Sequence, residues 1–128
     1  MASPPIPPLA RRNFRREGAR GEEIAAGYLV ENGYRIIAKN FRFRRAGEID
    51  IVAREGDDLV FCEVKMRGSD AYGPPEYAVT PMKQRTIRKI AAAYLALNGI
   101  EGQPCRFDVV MIRSGAGPPA ITLLRNAF

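Results

Sequence analysis

Apolar and polar positions alternate most clearly in two neighbouring stretches, Glu48 to Arg54 and Leu59 to Met66, separated by Gly56-Asp57. Glycine at the first central position of a short loop suits a tight turn, so the two stretches predict a β-hairpin. Loops of two or four residues centred on Gly56-Asp57 give one register. Ile49 then opposes Val64, Ile51 opposes Cys62 and Ala53 opposes Val60 on one face. Side chains alternate faces with a period of two, so the other face pairs Val52 with Phe61, Asp50 with Glu63 and Glu48 with Lys65. Both faces are apolar away from the charged end, the mark of a central strand pair covered on two sides.

Upstream, Ala25, Tyr28 and Leu29 fall on one face of a helix predicted over Ala19 to Asn32, with Asn32-Gly33 as its stop. Tyr34 to Ala38 reads as a first strand, and Phe41 to Ala46 as a basic connection interleaved with aromatics. Past the hairpin, a loop from Arg67 to Val79 carries Gly68, Gly73, Pro74 and Pro75. Thr80 is placed to cap a second helix whose first residue is Pro81. Ile87, Ile90, Ala91, Tyr94 and Leu97 recur there at helical spacing up to Asn98-Gly99. Strands at Cys105 to Ile112, with Phe107, Val109 and Met111 inward, and at Ala120 to Leu124 complete the order αβββαββ. That order predicts an α/β sandwich, a central mixed sheet flanked by helices. Residues 1–17, with four prolines ahead of Arg11, Arg12, Arg15 and Arg16, read as a disordered basic arm, and residues 18–128 as the domain.

Composition narrows the chemistry. The chain has 128 residues, 46% of them hydrophobic, which suits one domain with a modest core. No apolar run of about 18 residues is present, so no transmembrane helix is expected. The proline-rich N-terminus lacks the apolar core of a secretory signal, which points to the cytoplasm. There is no histidine, and the two cysteines, Cys62 and Cys105, form no CxxC. Zinc fingers and histidine-based catalysis are thereby excluded, and both cysteines read as small buried strand residues. A net charge of +6 favours a polyanionic partner. Without a strong amphipathic basic helix, that partner is expected to be nucleic acid and not a membrane. An arginine-rich coding background would give the same excess.

The hairpin register sets the candidate chemistry. Directly opposed residues hold their Cβ atoms roughly 4.5–5.5 Å apart, and like charges there repel. Asp50 and Glu63 placed so closely call for a proton or a divalent cation between them. Oxygen donors of this kind suit Mg²⁺ or Mn²⁺. Lys65 lies on the same face, where a cross-strand ion pair with Glu48 is its structural alternative. Lys83 sits on the apolar stripe of the second helix and in its first turn, where a cation opposes the dipole. It is either a contact to a phosphate or an active-site acid, or a lysine snorkelling past the core. Arg42, Arg44 and Arg45, flanked by Phe41 and Phe43, form a candidate phosphate-binding and base-stacking segment. The two phenylalanines could equally be core residues of an extended strand. Arg106 and Asp108 alternate on one strand face, as in an ordinary salt bridge.

Taken together, Gly18-x-x-Gly21-Glu22, Gly33-Tyr34, Gly47-Glu48-Ile49-Asp50, Phe61-Cys62-Glu63-Val64-Lys65-x-Arg67, Lys83 and Arg106-Phe107-Asp108-Val109-Val110 resemble the YraN family of bacterial proteins. That family is similar to archaeal Holliday-junction resolvases of the PD-(D/E)xK nuclease superfamily. The resemblance covers about Gly18 to Ile112. Ile49 stands where the superfamily has proline, and Cys62 where valine is expected. The resemblance implies a restriction-endonuclease-like fold and metal-dependent phosphodiester hydrolysis on structured DNA, with Asp50 and Glu63 as ligands of Mg²⁺ or Mn²⁺. Lys65 would orient the attacking water or stabilise developing charge. Glu22, on the core-facing stripe of the first helix, would complete the metal site, although an acid near a helix N-terminus is also favoured by the dipole. Glu48 is a further catalytic candidate, and Arg67 and Lys83 join Arg42, Arg44 and Arg45 as nucleic-acid contacts. Symmetric junctions would suit a homodimer. Two other classes are compatible with the same residues: a non-catalytic nucleic-acid-binding module on a nuclease scaffold, and a protein-interaction adaptor.

Overall fold

The computed structural model describes the backbone of residues 9–68 and 78–128, with side chains from Gly18 onward. Residues 1–8 of the expected arm and residues 69–77 of the expected loop lie outside the described residues. The elements run α1 (Leu9–Glu31), β1 (Arg35–Phe43), β2 (Gly47–Glu55), β3 (Asp58–Arg67), α2 (Pro81–Leu97), β4 (Cys105–Arg113) and β5 (Ala120–Leu124). The expected order αβββαββ is therefore the observed one. The α1 helix starts ten residues before Ala19 because arginine, alanine and leucine all favour helix once the prolines end. Strand β1 continues through Phe43, so the basic segment is partly strand, not a connection.

The five strands form one sheet in the order β1-β2-β3-β4-β5. Three neighbouring pairs are antiparallel, while β3 and β4 run parallel. A parallel pair needs a long crossover, and α2 lies in that crossover. The hairpin turn has two residues: Glu55 opposes Asp58, and Gly56 takes φ +57°, which a residue with a Cβ adopts only at a cost. Thr80 caps α2 by accepting from the Lys83 amide, with Pro81 in the first turn, as the sequence predicts.

Each sheet face carries its own core. Ala25, Ala26 and Leu29 of α1 pack on Ile51, Ala53, Val60, Cys62, Val110 and Ile112. Ile87, Ile90, Ala91 and Tyr94 of α2 pack on Ile49, Val52, Leu59, Phe61 and Val109. This is the doubly covered sheet that the apolar hairpin implied. Cys62 is buried, whereas Cys105 at the start of β4 is exposed, and both are free thiols.

One break in alternation matters for everything that follows. Ile51 packs toward α1 and Ile49 toward α2, although two residues apart on a regular strand share a face. Strand β1 does the same beside it. Lys39 opposes Ile51, and Phe41 opposes Ile49 and packs toward α2. Between them lies Asn40 with φ +55°. Both strands change face at the Asn40–Asp50 level.

Candidate metal centre where two strands fork

The β2–β3 ladder follows the predicted register from Glu55–Asp58 to Ile51–Cys62 and ends there. Past that point β2 stays paired with β1 as far as Gly47–Phe43, while β3 stays paired with β4 as far as Arg67–Arg113. The two ribbons diverge and leave a fork. Asp50 fills it. Its Oδ2 accepts a hydrogen bond from the Val64 amide at 2.8 Å, replacing the ladder bond that the fork removes.

The acids approach the fork from both faces. Val64 and Met66 lie under Gly21 of α1, so Glu63 and Lys65 point to the α2 side. Glu63 is buried, at 5% exposure. Its Oε2 has no hydrogen-bond partner among the described residues and sits 3.7 Å from Lys83 Nζ. On the other side, carboxylate oxygens of Glu22, Glu48 and Asp50 all lie within 4.8 Å of one another. Helix α1 delivers Glu22 by coming close to β3. A Cβ on Gly21 would stand 3.4 Å from Met66 Sδ, in van der Waals contact with β3.

Electrostatics record the crowding. Burial, the hydrogen bond it shares with Glu63 and the Glu63 charge hold the Asp50 carboxyl far above the usual carboxylate range, against the Val64 amide and Lys83. Glu22 is also raised, first by burial and then by Asp50 and Glu48, with an opposing hydrogen bond from Asn40 and the charge of Lys39. Glu22, Glu48 and Asp50 therefore crowd together on one side of the fork, and Glu63 meets Asp50 from the other. The donors are all carboxylate oxygens, and one of them is buried without a hydrogen bond. Such a set fits a hard divalent cation.

The expected common face for Asp50, Glu63, Glu48 and Lys65 is corrected. Glu48 turns to the α1 side with Glu22, because β2 changes face at Asp50. The opposed pairs Ile49–Val64, Asp50–Glu63 and Glu48–Lys65 do not form, because the strands have separated. Glu48 instead pairs with Arg42, its neighbour across β1, at 3.6 Å. Arg42 nevertheless stays 69% exposed, and Arg44 and Arg45 are exposed in the turn that follows. Phe41 and Phe43 pack against the α2 core, Phe41 edge-on to Tyr94 at 5.1 Å, so they are not free to stack on bases. Arg67 ends β3 at the same mouth of the sheet, its carbonyl accepting from the Ser114 amide. Lys83, read as a contact to a phosphate or an active-site acid or as a snorkelling lysine, lies 3.7 Å from Glu63 Oε2. Asn40 escaped the sequence reading. Its signal was the three-residue step from Ala38 to Phe41, which breaks a period of two.

The model of "Uncharacterised protein family UPF0102" matches residues 21–112. A UPF0102 protein of Symbiobacterium thermophilum is 51% identical over 115 residues, covering 89% of this chain and 97% of that one. One from Geobacter sulfurreducens is 51% identical over 112 residues, covering 87% of each chain. The chain belongs to the UPF0102 family. A Rhodococcus jostii member is 50% identical over 112 residues, 87% of this chain and 94% of its own. The matched UPF0102 segment contains the fork and all of its acids, and this is the family that the motifs resemble. Among the described residues of this UPF0102 chain, no helix is long and apolar enough to cross a membrane.

Proposed function

We propose that this chain is a metal-dependent endonuclease that hydrolyses phosphodiester bonds in structured DNA. The observation that carries the reading is the fork itself, where half-buried Asp50 meets buried Glu63, with Glu22 and Glu48 beside Asp50. Asp50, Glu63 and Glu22 would hold Mg²⁺ or Mn²⁺. When bound, such a cation supplies positive charge to the phosphodiester and acidifies the attacking water. Lys65, on the Glu63 side of the sheet, would orient that water and stabilise charge on the phosphate as water oxygen bonds to phosphorus and the ester P–O bond breaks. Arg42, Arg44, Arg45 and Arg67 rim the same mouth of the sheet, and Lys83 stands beside Glu63. Together they offer a phosphate track whose affinity falls with salt.

A second reading has one observation in its favour. Lys83 already supplies a cation to Glu63, so the fork can persist without metal in a non-catalytic nucleic-acid-binding module. The deciding experiment compares wild type, Asp50→Ala and Lys65→Met on a panel of branched and linear DNAs with Mg²⁺ or Mn²⁺, alongside binding measured in EDTA. Cleavage by wild type alone supports the nuclease. Salt-dependent binding without turnover, unchanged or tightened by Asp50→Ala, selects the module.

A further inference from the structure

We infer that Lys83 is a resident counter-cation that keeps the metal's place on Glu63 and turns to the nucleic-acid phosphate once the metal enters. The inference rests on the metal reading above. Glu63 is buried, and its Oε2 accepts no hydrogen bond among the described residues. The Lys83 ammonium lies 3.7 Å from that oxygen. Charge-assisted N–H···O bonds close to roughly 2.7–2.9 Å, so this pair is electrostatic and stops short of a bond. A buried carboxylate oxygen in that state carries a desolvation cost that a nearby cation offsets only in part.

The backbone and the side chain of Lys83 are held very differently. The backbone is fixed: its amide donates to the Thr80 hydroxyl at 3.2 Å, Pro81 starts the helix, and Ile87, one turn on, lies in the core. The side chain is 39% exposed and rides on a flexible aliphatic stem. The positive end of α2 repels a cation, so the Glu63 charge is what draws the ammonium inward. An ammonium and a divalent cation cannot both lie against one carboxylate oxygen without strong mutual repulsion. A metal taking Oε2 must therefore displace Nζ, and the stem swings toward solvent. Before the metal arrives, the Lys83 charge is neutralised by Glu63. Afterwards it is available to a phosphate. Metal loading and phosphate binding are thereby coupled through one side chain.

The test separates competition for Glu63 from net charge and from packing. Mn²⁺ is titrated calorimetrically into the full chain, free of nucleic acid, as wild type, Lys83→Met and Arg85→Met, with melting temperatures measured in EDTA. Methionine keeps an unbranched stem and removes the charge. Arg85, exposed on the same helix, reports the effect of net charge alone. The expected result is Mn²⁺ affinity about five-fold tighter in Lys83→Met and within about two-fold of wild type in Arg85→Met. A lysine needed only for packing would give the opposite sign. If Lys83→Met melts below the assay temperature, Lys83→Gln takes its place with the same expectation, since it keeps a neutral donor for Glu63. Binding of branched DNA is then compared in EDTA and in Ca²⁺ titrated to saturation. Wild type and Lys83→Met should bind alike in EDTA, and the variant about three-fold more weakly in Ca²⁺. Unchanged or weaker Mn²⁺ affinity in Lys83→Met, an equal gain in Arg85→Met, or a DNA deficit that does not grow with Ca²⁺ would overturn the inference while leaving the metal site standing. No Mn²⁺ binding by wild type or by Lys83→Met would remove the metal reading and the inference with it.

Discussion

Replacing Asp50 with asparagine should make the metal-free protein more stable at alkaline pH, although it removes a proposed ligand. Asp50 accepts from the Val64 amide and shares a hydrogen bond with Glu63. An asparagine keeps the acceptor for Val64 and offers an N–H to Glu63, so it copies the protonated acid without being able to ionise. The native state displaces the Asp50 proton equilibrium from 3.8 to about 8. Each tenfold displacement is worth about 1.4 kcal/mol, so forcing the native carboxyl to ionise costs on the order of 6 kcal/mol at most. Between those two values the folded protein holds a proton that the unfolded chain has released. Stability must then fall as pH rises, by up to about 1.4 kcal/mol per pH unit.

The assay is thermal or urea unfolding in EDTA at pH 5, 7 and 9. Wild type should lose stability across that range, while Asp50→Asn changes little. At pH 5 the two should agree within about 1 kcal/mol, the usual span of a near-isosteric change. By pH 9 the variant should melt roughly 10 °C higher, since each kcal/mol moves a domain of this size by about 3–5 °C. Millimolar Mn²⁺ should restore wild type at pH 9 and leave the variant unmoved, because only a ligand bound by the native state stabilises it. A variant that melts below wild type at pH 9, or a wild-type profile that is flat, would refute the claim that the fork stores this repulsion.

Two further outcomes test how the rest of the domain is held. Asp108→Ala leaves Arg106, the Tyr34 hydroxyl and the Asn126 amide without their shared acceptor, and should cost about 3–5 kcal/mol in urea unfolding with no change in Mn²⁺ affinity. Phe41→Ala should destabilise by about 2–4 kcal/mol through lost packing on Tyr94, while salt-dependent DNA affinity of the folded fraction stays within two-fold of wild type.

The hairpin was legible down to Ile51–Cys62 because a two-residue turn and an alternating pattern fix a register locally. The fork was not, because β3 leaves β2 to follow β4, a strand some forty residues away whose pull no local pattern reveals. Extrapolating the register one step too far gave the right neighbours, Asp50 and Glu63, for a partly wrong reason. They meet because Asp50 fills the gap, not because the strands pair there. Lys83 was readable as a charge out of place on an apolar stripe. Glu22 stood out as an acid on a core-facing one. Glu48 was misassigned to Lys65 because the face change at Asn40 and Asp50 depends on two strands turning over together. The phenylalanines around Arg42 were undecidable from composition, and the long β1 settled them as core.

The two ends of the sheet use the same residue types with opposite economy. At the hairpin end, Asp108 is fully buried yet takes hydrogen bonds from Tyr34, from Arg106 through two nitrogens and from the Asn126 amide, while Arg106 also pairs with Glu55 and Asp58. Every lone pair that burial strips of water is met by a protein donor, as a purely structural acid requires. At the fork, the acids are partnered chiefly by one another, by one backbone amide and by a lysine beyond hydrogen-bond distance. A fold able to satisfy Asp108 so completely did not need to leave Glu63 Oε2 bare. Well-packed apolar residues at both Asp50 and Glu63 would cost less, since replacing both members of a buried charged pair is often neutral or stabilising. The deficit is localised where two strands part and cations rim the opening, and a cation from solution is the partner that would remove it.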